Sequence, residues 1–100
     1  MQQAKNPRIW ATVRNNHKVV KDLTLSFPFA QGLSEALTEF CHLLDLERPV
    51  VLPKHQREWN DFRRVTFSPR DFIGDFAYDT LEMEYFEDDA PAKKGRAQKQ

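Results

Sequence analysis

An α+β fold is predicted for this 100-residue chain by three observations. A period-two hairpin opens the chain, and a stripe of 3.6-residue periodicity follows it. The remainder is short strand-like and helix-like stretches without the regular βαβα alternation of a parallel fold. The expected architecture is an N-terminal β-hairpin, a central amphipathic helix and short mixed strands and helices. Together they form a small antiparallel or mixed sheet of roughly three to five strands, covered on one face.

Residues 1–7 are polar, end in Asn6-Pro7 and read as a flexible lead-in. The first strand is expected at Arg8–Arg14, with Ile9, Ala11 and Val13 on one side and Trp10, Thr12 and Arg14 on the other. Asn15-Asn16-His17 is a turn, because Asn tolerates positive φ. The second strand covers Lys18–Phe27. Val19, Leu23, Leu25 and Phe27 share one face there, while Asp22, Thr24 and Ser26 share the other. Lys21 interrupts the apolar row near the turn, where its ammonium can reach water.

Pro28 closes that strand. A helix starting within Ala30–Ser34 runs to Leu46 on the stripe Leu33, Ala36, Leu37, Phe40 and Leu44, with Cys41 on or beside it. Pro49 ends it, and Pro49–Pro53 is an edge strand or a buried connector, since proline cannot donate to a ladder. Residues 54–63 form a short helix anchored by Trp59 and Phe62, and Arg64–Phe67 a short strand. Ser68-Pro69-Arg70-Asp71 opens a further helix of one or two turns burying Phe72, Ile73 and Phe76, stopped at Gly74. A last strand, Thr80–Phe86, alternates Leu81, Met83 and Tyr85 inward with Glu82 and Glu84 outward. The single domain therefore spans 8–88, and 89–100 reads as a disordered basic tail.

Composition narrows the function classes. The chain is 40% hydrophobic and 30% charged, within the globular range. One cysteine excludes an internal disulfide and a thiolate zinc site, which fits a reducing compartment and a cytoplasmic location. The N-terminus has no apolar signal-peptide core, and no apolar run is long enough to span a membrane. Net charge is zero but segregated: residues 1–21 carry +5, 22–53 −4, 54–70 +3, 71–89 −8 and 90–100 +4. Opposed blocks of this kind favour self-association or a charged partner, or else neutralise one another internally.

The stretch ALTEFCHLLDLERPVVLPKHQREWNDFRRVTFSPRDFI, followed by YDTLEMEYFE, resembles a class of small cytoplasmic proteins of Clostridia-like Firmicutes that share this order of motifs. The resemblance covers roughly residues 9–87 and implies a bacterial cytoplasmic origin. It brings no activity with it, and no site residue is transferred through it.

No nucleotide-binding glycine loop, H-E-x-x-H or G-x-S-x-G motif occurs. Cys41-His42 has the residue types of a nucleophile and base, but helical neighbours point about 100° apart, so a base would have to come from His17 or His55. Otherwise Cys41 is a small buried hydrophobe. His17, His42 and His55 share no metal-ligand spacing and read as surface residues. The acidic run from Asp71 to Asp89 lacks a calcium-loop pattern and reads as a solvated face. No metal site and no cofactor is expected.

Two surfaces remain. Trp10 lies on the otherwise polar side of the first strand beside Arg14, and tryptophan is a favoured interface anchor. With Trp59 these residues form the candidate contact surface of a non-enzymatic protein-interaction module, with itself or another protein as partner. The alternative is an accessory nucleic-acid-binding protein that uses Arg57, Arg63, Arg64 and Arg70, interleaved with aromatics, together with the basic tail. Glu58 and Asp61 sit within that segment and weaken it as a phosphate groove.

Overall fold

Period-two alternation produces the hairpin, and the computed structural model, which describes residues 6–88, places it at the N-terminus as expected. Strands β1 (Asn6–Asn15) and β2 (Lys18–Ser26) pair antiparallel. Positive φ at both Asn16 (55°) and His17 (67°) is what a two-residue type I′ turn requires. Helix α1 (Leu33–Leu44) buries Leu33, Ala36, Leu37, Phe40 and Cys41. It ends where Asp45 turns left-handed (φ 60°) and the Leu46 amide donates back to the Cys41 carbonyl. Helix α2 (Pro53–Phe62), strand β3 (Arg64–Phe67) and strand β4 (Thr80–Asp88) complete the fold.

The strands form one four-stranded sheet in the order β2-β1-β4-β3, antiparallel throughout. Its inner face presents Ile9, Ala11, Val13, Val65, Phe67, Leu81, Met83 and Tyr85, all buried. Both helices cover that face. Trp59 of α2 stacks on Phe29 (5.6 Å), which in turn meets Tyr85 edge-on (5.0 Å), and His55 of α2 packs on Phe67 (4.5 Å). The architecture is thus an α+β domain with one covered and one open sheet face. No helix among the described residues is long and apolar enough to cross a membrane.

Several sequence expectations are corrected. Asn6 and Pro7, expected in a flexible lead-in, belong to β1; the rest of that expected lead-in, residues 1–5, and the tail 89–100, expected to be disordered, lie outside the described residues. Val19 was expected beside Leu23 on the inner face. The register shifts between Val13, paired with Lys21, and Arg14, paired with Val19. Val20 is the extra residue of this bulge, and it turns Val19 to the outer face opposite Arg14. Lys21 does not simply reach water: its ammonium donates to the Leu44 carbonyl at the end of α1 (2.9 Å). Of the two readings left open for Pro49–Pro53, the connector is the one found: Pro49–Leu52 forms no strand and is tied down by the Val50 amide donating to the Asp71 carbonyl (2.7 Å). The helix expected after Ser68 is a single 3-10 turn, Pro69–Asp71. Phe72 is buried as expected, but Ile73 is 86% exposed.

Candidate functional site: the open face of the sheet

Residues opposite one another in adjacent strands share a face, so the register assembles the outer surface directly. One row reads Thr24, Trp10, Glu84, Arg64 from β2 across to β3. The next reads Asp22, Thr12, Glu82, Thr66. Flanking rows place Ser26, Arg8 and Phe86 at one end and Val19, Arg14 and Thr80 at the other. Thr12, at the centre, is buried by its neighbours, whereas Trp10 is 37% exposed, Phe86 36% and Val19 44%. A shallow depression lies between Trp10, Thr12, Arg64, Thr66, Glu82 and Glu84.

Polar contacts fix this surface lightly. The Trp10 indole N–H donates to Asp22 Oδ2 (3.1 Å), which orients the ring across the β1–β2 pair. Arg14 Nε lies 3.5 Å from Glu82 Oε1, with both side chains 39% exposed. Such an exposed pair contributes at most about 1 kcal/mol, so both groups can be recruited by another charge at little cost.

Trp59 does not join Trp10. It is buried beneath α2 at 1% exposure, on the opposite side of the sheet, with its indole N–H facing no acceptor among the described residues. Of the three residues expected to share a contact surface, Trp10 and Arg14 lie on the open face and Trp59 on the covered one. Phe62, the other expected anchor of α2, is 70% exposed, and His55 takes its place on the buried side.

The four candidate arginines are all exposed but are divided between surfaces. Arg63 caps α2 in a left-handed conformation, with its guanidinium over the rings of Phe29 (5.1 Å) and Tyr85 (5.4 Å) on the helix side. Arg64, its neighbour, projects from the opposite, open face across from Glu84. Arg57 lies on α2, and Arg70 in the 3-10 turn.

His55 corrects the reading of the histidines as surface residues, because it is 1% exposed. Its Nδ1 accepts the Leu52 amide N–H (2.9 Å), which places the ring proton on Nε2, 3.3 Å from Asp71 Oδ2. The same Asp71 oxygen accepts the Ser68 amide N–H (2.9 Å) and its hydroxyl (3.3 Å). Burial pushes the Asp71 carboxyl up, but the Ser68 amide and the neighbouring His55 outweigh it and hold the carboxyl below its ordinary value. Although His-Asp is a familiar catalytic pairing, Nδ1 is taken by the Leu52 amide, and Nε2, which faces Asp71 without completing a hydrogen bond, is buried with the rest of the ring, so no substrate reaches it. The pair ties the start of α2 to the 3-10 turn. Two capping patterns in the sequence, Pro53-Lys54-His55 and Ser68-Pro69-Arg70-Asp71, carry it, but nothing local says that they meet.

Cys41 is buried at 3% exposure. Burial pushes its thiol up to about 11, with Arg48 only partly offsetting the effect. Its thiolate is therefore scarce at neutral pH, the reverse of an activated nucleophile. His17 and His42 are exposed, and no group of three or more His, Cys, Asp or Glu among the described residues is placed to hold a metal. The acidic run is dispersed as well. Asp71 pairs with His55, Asp79 accepts the Asn16 amide (2.8 Å), Glu82 and Glu84 lie on the open face, and Glu87 accepts the Tyr85 hydroxyl (3.0 Å).

Comparison with protein-family models, with curated proteins and with solved structures finds no match to this chain.

Proposed function

We propose that the protein is a non-enzymatic interaction module that binds a protein partner through the open face of its sheet. The observation that carries the reading is Trp10, a large aromatic 37% exposed at the middle of a four-stranded face that neither helix covers. An antiparallel sheet can leave one face in water, but that face then ordinarily alternates to polar residues. Here Trp10, Phe86 and Val19 interrupt the alternation, and tryptophan ringed by charged and polar groups is the composition of an interface centre. The buried Cys41 and the equally buried His55, neither of which a substrate can reach, support the non-enzymatic part of the reading. A bacterial, cytoplasmic setting, implied by the resemblance of residues 9–87, belongs to the same proposal.

Nucleic acid is the weaker reading. Arg63 and Arg64 lie on opposite sides of the sheet, and Glu82 and Glu84 border Arg64, so a phosphate backbone would meet carboxylates on the open face.

Capture by tagged full-length protein, with and without nuclease, tests both. The prey is a lysate that also expresses an untagged copy of the chain. The expected result is protein retained after nuclease treatment by the wild type and lost with Trp10→Ala. Material that disappears with nuclease, or is retained equally by Trp10→Ala, overturns the proposal.

A further inference from the structure

We infer that the partner on the open face is a second copy of this chain, docked sheet to sheet about a two-fold axis parallel to the strands; this rests on the reading of that face as an interaction surface. The argument is the sign of each strand. The outward residues of β2 are Val19, Asp22, Thr24 and Ser26, net −1. Those of β1 are Arg8, Trp10, Thr12 and Arg14, net +2. Over the same four rows those of β4 are Thr80, Glu82, Glu84 and Phe86, net −2, and those of β3 are Arg64 and Thr66, net +1; a fifth row, Asn6 and Asp88, extends β1 and β4 and adds a further negative residue to β4. Across the order β2-β1-β4-β3 the signs of the face therefore run negative, positive, negative, positive.

This sequence of signs is antisymmetric about the line between β1 and β4. A two-fold axis along that line turns the face over and lays β1 of one copy on β4 of the second, and β2 on β3. Every strand then meets one of opposite sign, β1 on β4 and β2 on β3. The operation also keeps each cross-strand row at its own level. Trp10 comes over Glu84 of the second copy and one step from its Phe86, and Arg8 comes over that Phe86. The ordinary twist between packed sheets, about 30°, blurs the rows but preserves the strand-by-strand sign. Translation without rotation gives no such match, and a face built only to stay in solution needs no antisymmetry. Neutralisation within one sheet accounts for charge contacts such as Arg14–Glu82, but it does not account for Trp10, Phe86 and Val19, which stay exposed among the charges.

Four strands about 4.8 Å apart and four rows cover about 400 Å² per copy. That area lies below the standard interface, so the dimer is transient.

Asp22 and Arg64 supply the decisive test, because within one chain they sit on opposite edge strands and do not meet. Asp22→Arg makes both edges positive, and Arg64→Asp makes both negative. Sedimentation equilibrium of the full chain, from about 10 μM to 1 mM, is run on the wild type, on each variant and on their equimolar mixture; thermal melts establish that each variant is folded. The wild type is expected to dimerise, each variant alone to weaken the dimer at least about tenfold, and the mixture to recover association within about threefold of wild type. Variants that self-associate like the wild type, or a mixture that stays monomeric while the wild type dimerises, overturn the two-fold arrangement. A wild type monomeric throughout overturns self-association altogether. In that event, Trp10-dependent capture of another protein leaves the interaction-module reading standing, and its loss brings down both.

Discussion

Asp71 and His17 bring out what single side chains do in this fold. The Asp71 carboxyl is held below its ordinary 3.8 by the Ser68 amide and His55 against the cost of burial. The unfolded chain therefore binds that proton more tightly than the folded one. Its stabilising contribution is complete above about pH 3.8 and is lost as pH falls through the lower folded value. Asp71→Asn is expected to be less stable than wild type at pH 6, with the gap closing toward pH 2; melts across that range that stay parallel would show that Asp71 is not the titrating group. His17 stands at positive φ (67°), a conformation that costs a β-carbon about 1 kcal/mol. His17→Gly completes an Asn-Gly turn and should raise the melting midpoint by about 4 °C. The turn was readable from Asn15-Asn16-His17, since a positive φ is a local matter. The Asp71–His55 contact was not, because the two residues are 16 positions apart and meet only when α2 is laid beside the 3-10 turn.

Helix α2 illustrates the same division one level up. Its existence follows from Pro53 at the first turn and a left-handed cap at Arg63. Its orientation does not. Trp59 and Phe62 are both large and both three or four residues from other apolar positions, so spacing alone made them joint anchors. The helix instead turns His55 and Trp59 inward, four residues apart on one face, and leaves Phe62 in water. Trp59→Ala should cost about 3–5 kcal/mol in chemical denaturation, and Phe62→Ala less than about 0.5. Comparable losses would mean that Phe62 is packed. The β2 bulge is a parallel case: Val20 is one more apolar residue in the sequence, but as the unpaired residue of the ladder it reverses the facing of Val19.

For the molecule as a whole, the order β2-β1-β4-β3 puts the first and last strands at the centre. The chain therefore closes its core only when β4 inserts between β1 and β3. Amide exchange should be slowest at Ala11, Val13, Met83 and Tyr85, whose strands are paired on both sides, and fastest in residues 73–79. Equal protection in β3 and β1 would count against this hierarchy. The open face is a property of this scale too. Trp10, Thr12 and Arg14 could be assigned to one side of a strand from alternation, and so could Glu82 and Glu84. That they form one surface with Asp22 and Arg64, alternating in sign strand by strand, depends on a pairing order that no local pattern encodes.

Period-two and 3.6-residue patterns reflect neighbours within a turn or a strand, and they sufficed for the α+β class, the hairpin, α1 and the inward set Leu81, Met83 and Tyr85. The burial of Trp59 against the exposure of Trp10, the His55–Asp71 contact and the charge sequence across the sheet are relations between distant segments. Each follows from which faces the helices cover once the strands are ordered, because burial is shared among elements and belongs to none of them singly.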